Sequence, residues 1–258
     1  MSKSLEIGTV AGLVVGCLSI FGSFLLEGGT MDKLILIPAM MIVFGGTAAT
    51  AMIGVSLKQF LAIPKFAMIA FFAPKEDVRK LIDEIGEIAK QVRRQSLLAM
   101  EKELPKIQNP FLKRLLGLAI DGMDPGSLRT VAESEMNYVA ERHNANASVF
   151  AKMGGYAPTM GIIGTVMGLI ATLSHAGGEP TELIKGIATA FIATLWGVFT
   201  ANIIFLPLSD KLKNIHAEES MAMEVVLEGV LSIQAGEAPG ITKAKLQSML
   251  PAAQQEGR

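Results

Sequence analysis

The stretch Gly155–Leu169, GYAPTMGIIGTVMGL, carries no charge but holds a proline, two threonines and four glycines. Pro158, Gly161, Thr165, Gly168 and Thr172 recur at intervals of three and four, so a helix gathers them on one small, polar face. A later stretch, Gly186–Ser209, repeats the pattern with Thr189, Ala193, Gly197 and Thr200, flanked by Gly186, Ala190 and Thr194. Threonine hydroxyls guide or help coordinate a cation but hold no titrating proton at neutral pH. Pro158 removes the hydrogen bond to the carbonyl of Gly154, and Pro207 the one to Ile203. Carbonyls and hydroxyls freed in this way line a wet path through lipid. The competing reading is close packing, in which small residues let helix backbones approach and threonines bond to their own preceding turn. That reading is preferred for Gly8, Gly12 and Gly16, spaced by four near the N-terminus. For the two later stretches both stay open.

The elements that carry these residues are membrane spans. Half of the 258 residues are hydrophobic, only 18% are charged and mean hydropathy is positive. Uncharged runs cover Ile7–Leu26, Leu34–Leu57, Met153–Gly178 and Gly186–Ser209. Each reaches the roughly 20 residues that a helix needs to cross a bilayer, which predicts four transmembrane helices. The first run is too long for a cleaved signal and lacks a small-residue cleavage site. Phe66–Pro74 is apolar but too short to span, and is expected at the interface or packed on the bundle. Formal net charge is −1, which argues against nucleic acid as a partner. The lone Cys17 excludes a disulfide framework and a cysteine metal site, and is read as a packing residue.

Charge sets the expected layout. Two connections, Glu27–Lys33 and Glu179–Lys185, are tiny, whereas Lys58 to Lys152 runs 95 residues and holds 15 Lys and Arg. Lys3, Lys58, Lys65, Lys152, Lys211 and Lys213 flank span ends on one side, so both termini and the large connection are expected in the cytoplasm. The divisions expected are 1–57 for spans one and two, 58–152 for a cytoplasmic helical domain, 153–209 for spans three and four, and 210–258 for a cytoplasmic helix and tail. Val78, Leu81, Ile82, Ile85, Ile88 and Val92 form one apolar stripe, and Ile107, Phe111, Leu112, Leu115 and Leu116 suggest a shorter second helix. Asp124-Pro125 reads as a cap and a first-turn proline, opening a helix that runs into the membrane. Leu208, Leu212, Ile215, Ala222, Val226 and Val230 continue a helical face, which Pro239-Gly240 is expected to end, leaving a frayed PAAQQEGR tail. No β pattern is visible. The fold class expected is all-α, a polytopic membrane protein with four transmembrane helices and a helical cytoplasmic domain.

No Asp, Glu, Lys or Arg lies inside any of the four runs. Ion-coupled proteins keep an ionisable group in the membrane. If the chain serves an ion path, the titrating carboxylate must come from another chain.

PTMGIIGTVMGL (Pro158–Leu169), GIATAFIATLWGVFTANIIFLPLSDKL (Gly186–Leu212) and RRQSLLAMEKE (Arg93–Glu103) resemble the flagellar stator A-subunit family, the MotA and PomA proteins. The expected topology resembles it as well. The resemblance implies a homopentamer around two B-subunits of the MotB/PomB kind. Each of these brings a membrane helix with an essential aspartate and a peptidoglycan-binding domain. Ion flow past that aspartate turns the ring and drives a FliG-like rotor switch protein. By the same resemblance Pro158 and Pro207 match coupling prolines, and Thr165, Thr194 and Thr189 belong to the ion pathway. Gly161, Gly168, Ala190 and Gly197 are taken to pack the partner helix, and Arg93, Glu101 and the alternative Arg94 to face the rotor. The transported cation is Na+ or H+, with Thr165 leaning toward sodium, and the place is the bacterial inner membrane. The alternative is an energiser of the ExbB/TolQ kind, although such chains have three spans. No cofactor, metal or catalytic residue is expected. His143, His175 and His216 lack metal-ligand spacing, and the chain has no P-loop, no G-x-S-x-G and no paired membrane acids.

Overall fold

The computed structural model describes residues 2–174 and 180–251. His175, the end of the third apolar run, Glu179 and the tail after Pro251 lie outside them. In chain order the elements are β1 (Ser2–Leu5), α1 (Ile7–Leu26), α2 (Ile37–Met40), α3 (Gly46–Gly54), α4 (Leu57–Leu61), α5 (Ile63–Phe71) and β2 (Phe72–Lys75). There follow α6 (Val78–Gln95), α7 (Pro110–Ile120), α8 (Pro125–Ser174), α9 (Pro180–Phe199), α10 (Leu206–Gln234) and α11 (Pro239–Ser248). Among the described residues four stretches are long and apolar enough to cross a membrane: Ile7–Leu26, Ile37–Gly54, and parts of Pro125–Ser174 and Leu183–Gln234. The protein is a multi-pass membrane protein of the all-α class, with a short two-stranded pair beside its helices.

The chain divides into two compact units. One comprises residues 3–73 and 143–215 and contains the four spans. α1 coincides with its apolar run. The second span is shorter than its run, because Leu34 belongs to a 3₁₀ turn and Pro38, at the second helical position, sets where the helix starts. At the other end Ser56 and Gln59 form a capping box, so Leu57 opens a new helix instead of extending the span. α5 is packed on the bundle through Phe66 and Ala70, which meet Phe150 and Leu208. Its other side, with Met68 and the following Phe72, is exposed. Two strands do occur, β1 pairing with β2. They escaped sequence reading because four residues are too few to show alternation, and Phe72–Lys75 trails an apolar run.

Phe21, Phe44, Trp196 and Phe199 form an aromatic cluster, with Phe21 and Phe199 ring centroids 5.0 Å apart. Trp196 turns its indole N–H to the carbonyl oxygen of Leu34 at 2.8 Å, joining α9 to the 3₁₀ turn before the second span. In lipid an indole N–H finds a protein acceptor or none, so this bond sets the height of one helix against the other.

The other unit comprises residues 74–142 and 216–251 among those described. Its core is built by the predicted stripes: Leu81, Ile82 and Ile85 of α6, Leu112, Leu115 and Leu116 of α7, and Val226 and Val230 of α10. Asp124 accepts from the backbone N–H of Ser127 at 3.0 Å, the cap expected for a helix beginning at Pro125. α10 ends at Gln234, not at Pro239. Gly236, at φ +71°, closes it, with the Glu237 N–H donating to Ser232 O. Pro239 instead opens α11, because proline fits a helix's first turn as well as it ends the preceding one. α11 is pinned by Lys243 to Asp83 at 2.7 Å and by Lys245 to Glu228 at 3.0 Å.

Candidate ion-pathway site

The third and fourth spans meet along the faces that the spacing predicted. A methyl group on Gly197 would stand 2.5 Å from the Ala157 carbonyl oxygen, and one on Gly161 2.8 Å from that of Ala193. Gly164 faces Ala193 at 2.7 Å and Gly168 faces Ala190 at 3.1 Å. The first three approaches are closer than a Cβ tolerates and the last is tight, so α8 and α9 pack backbone to backbone. Gly161, Gly168, Ala190 and Gly197 therefore line the contact between the chain's own two spans, whereas the expectation had them packing a partner helix. The first span reverses the pattern. Gly8 and Gly12 have nothing within 4 Å, and only Gly16 meets a neighbour, Ile203 at 3.3 Å, so within the chain only Gly16 shows the packing expected there.

Backbone contact on both sides brings two hydroxyls together. Thr165 Oγ1 and Thr194 Oγ1 are 2.5 Å apart. Thr165 Oγ1 also lies 3.1 Å from Gly161 O and 3.0 Å from Ala190 O, and Thr194 Oγ1 lies 3.5 Å from Gly161 O. The cluster has four oxygens but two hydroxyl protons, so acceptor capacity exceeds donor capacity. Such a surplus suits a hard cation, which takes oxygen ligands. Both threonines are only half-buried, so the cluster is open on one side. Thr189 is half-buried one to two turns earlier on α9 and takes no part in these hydrogen bonds. Thr172 and Thr200 bond to carbonyls of their own helices, Gly168 and Trp196, both at 2.8 Å.

The two prolines behave differently. Pro158 sits inside α8, which stays helical through it. The residue four before it, Gly154, is buried with Leu206 where its side chain would be. Pro207 follows a π turn, Thr200–Phe205. A π turn widens the helix by one residue and so makes room for the ring that Pro207 thrusts toward Ile203. A second π turn, Met41–Gly45, interrupts the second span after Pro38. The π turns were not legible because they depend on which carbonyl a given N–H finds. Pro207 was the one available signal.

Just past Pro207 the chain is tied twice. Ser209, buried, donates to Ala147 O at 2.9 Å, and Lys211 pairs with Glu6 at 2.6 Å. In the sequence Lys211 reads only as a charge flanking a span end, and Ser209 only as the last residue of its apolar run. On the same unit Lys152 donates to Gly54 O at 2.8 Å, capping the end of the second span.

Arg93 and Arg94 lie in the last turn of α6 and Glu101 in a 3₁₀ turn, Leu98–Lys102. All three are exposed, and none makes an ion pair among the described residues. Between them Ser96 adopts φ +79° and ψ 159°, a conformation that glycine prefers.

The comparisons with known proteins agree with this architecture. Residues 10–96 match the motility protein A N-terminal family, and residues 103–225 match the MotA/TolQ/ExbB proton channel family. Motility protein A of Bacillus subtilis is 34% identical over 245 residues, covering 95% of this chain and 90% of its own. Chemotaxis protein PomA of Vibrio alginolyticus is 30% identical, covering 95% and 96%. The flagellar MotAB stator complex from Bacillus subtilis superposes with a TM-score of 0.89 at 34% identity, over 95% of this chain and 96% of that one. The C. jejuni MotAB structure superposes at 0.91 with 29% identity, over 96% and 97%. With matches across both halves, the chain belongs to the MotA/TolQ/ExbB proton channel family, on its motility protein A branch.

Proposed function

We propose that the chain is the A-type stator subunit of a flagellar motor, which forms an ion channel with a B-subunit and turns ion flow into torque. The observation that carries the reading is the paired Thr165 and Thr194 hydroxyls, half-open at the contact of two spans that hold no charge. A channel with oxygen ligands but no titrating group takes that group from elsewhere. A B-subunit helix bearing an aspartate supplies it, approaching the open side of the cluster. The coupling cation is Na+ or H+, and Thr165 favours sodium. Pro158 and Pro207 couple passage of the ion to movement, and Thr189 extends the pathway along α9. Arg93 and Glu101, with Arg94 as the alternative arginine, meet a FliG-like rotor protein; their exposure, and the lack of an ion pair to them among the described residues, support this.

Residues 58–152 and 210–258 serve as the cytoplasmic parts, 1–57 and 153–209 as the membrane parts, with both termini inside and the whole in the inner membrane. The ring is a homopentamer around two B-subunits. The match of residues 10–96 to the motility protein A N-terminal family favours a stator over an energiser of the ExbB/TolQ kind.

The test is complementation of a strain that lacks its own stators, with the B-subunit co-expressed. Swimming speed is measured as sodium is varied at constant proton-motive force. Speed that rises with sodium assigns the ion, and speed indifferent to sodium assigns the proton. Normal swimming by both Pro158→Leu and Pro207→Leu would remove the assignment.

A further inference from the structure

The residues just after Pro207 are tied to two other helices. Thr200–Phe205 is a π turn, a wide coil that marks a place where helix geometry is easily changed. Pro207 then lacks the amide that would tie it back. Two residues on, Ser209 is buried and donates to Ala147 O on α8 at 2.9 Å. One turn beyond Pro207, Lys211 extends to Glu6 at 2.6 Å. Glu6 stands at the start of α1, and its backbone N–H donates to Phe71 O at 2.9 Å, where β1 meets β2. The carboxylate does not cap its own helix; it is given to Lys211. Glu6 retains 11% of its side-chain exposure and Lys211 26%. Breaking so shielded an ion pair by removing one member is unfavourable.

We propose that the Glu6–Lys211 ion pair is a positioning contact for torque generation. It anchors the start of α10 to the first span, as Ser209 anchors it to the third, so that movement begun at the ion site is taken up in the π turn and Pro207. Without it the start of α10 shifts as well, and the ion passes while less of the movement is delivered. The inference rests on the stator reading above. Glu6 and Lys211 themselves do not touch the ion.

The test uses the full chain with its B-subunit in a stator-less strain. Glu6→Gln, Lys211→Met, and the exchanged pair Glu6→Lys with Lys211→Glu are compared. Torque per stator is read from speed steps of a bead-loaded motor, ion flux from the same complex in vesicles, and membrane content by immunoblot. Each single variant is expected to lose at least half its torque per stator, with flux within a factor of two of the parent. The exchanged pair is expected to regain most of the torque, which restored packing alone would not produce.

Parental torque in both single variants, or an exchanged pair no better than either, overturns the proposal. If the single variants fail to reach the membrane, Glu6→Asp, which keeps the charge but shortens its reach, is expected to show intermediate torque at normal content. Parental torque there overturns the proposal as well. Pro207→Leu separates the two levels. A Pro207→Leu strain that swims normally, together with a Pro158→Leu strain that does, removes the stator reading itself, whereas a paralysed Pro207→Leu strain beside fully active Glu6→Gln and Lys211→Met strains removes only the anchor.

Discussion

At the scale of single residues, the decisive chemistry is one pair of hydroxyls. Thr165 and Thr194 lie 2.5 Å apart with two carbonyl oxygens in reach. Thr165→Val keeps the shape and removes the oxygen. One lost oxygen contact of about 1 kcal/mol corresponds to roughly a fivefold change in an equilibrium constant. The sodium concentration for half-maximal speed should rise by about that factor if sodium is the ion. An unchanged dependence on both sodium and pH would remove Thr165 from the path. The glycines make an opposite pair of expectations. Gly197→Ala drives a methyl group into the Ala157 carbonyl, and overpacking of this kind costs roughly 1–3 kcal/mol. Gly8→Ala meets nothing within 4 Å, and alanine favours a helix more than glycine does. Unfolding of the detergent-solubilised protein should therefore occur earlier for Gly197→Ala and at the parental point, or later, for Gly8→Ala. Equal behaviour would mean that α8 and α9 are not in backbone contact.

At the scale of elements, the joint between α10 and α11 depends on Glu228. Arg129 on α8 and Lys245 on α11 both bond to it, at 2.6 Å and 3.0 Å. Partial burial pushes its carboxyl upward, but the hydrogen bonds from Lys245 and Arg129 outweigh this and hold it below the ordinary glutamate range. A lowered folded value means that its contribution is complete above the unfolded value of about 4.3. The contribution is lost as pH falls through the lower folded value. Glu228→Gln should therefore destabilise the protein by about 1–2 kcal/mol at pH 7, since the group is partly solvated, and flatten the acid limb of its stability curve. An acid limb identical to the parent's would show that Glu228 does not hold this joint.

The same elements show what was legible in the sequence. α1, α6, α7 and the start of α8 stood out because each has a clean apolar run or stripe and, for α8, a cap at Asp124-Pro125. Spacing set Thr165 on one polar face and Thr194 beside another, and the family resemblance marked both for the ion pathway. Neither their meeting nor the contact of Gly161 and Gly197 was legible, because spacing states which residues share a face but not which helix covers it. The β1–β2 pairing, the two π turns and the Glu6–Lys211 contact escaped for a related reason. The strand pairing and the ion pair join residues far apart in the chain, 205 positions for Glu6 and Lys211, and the π turns depend on which of two nearby carbonyls an N–H finds, so none leaves a readable pattern.

At the scale of the whole molecule, the chain is a channel component that is incomplete alone. Four spans carry no Asp, Glu, Lys or Arg within their apolar runs, and a bare cation in hydrocarbon is held only by groups that replace its water. The Thr165–Thr194 cluster offers a few oxygens of the required kind but no charge to offset the cation's desolvation. Its open side is where that charge must arrive. The purified chain, reconstituted by itself in vesicles, should then pass neither sodium nor protons above the leak of empty vesicles. Reconstituted with a B-subunit it should conduct, and a B-subunit whose membrane aspartate is changed to asparagine should return flux to background. The order of these three measurements matters. Flux from the lone chain would mean that the threonines suffice and that the partner supplies anchorage only. Flux that survives loss of the aspartate would place the titrating group elsewhere. Flux only with the intact pair would place the complete ion site between two chains, with this one contributing its oxygen-lined wall.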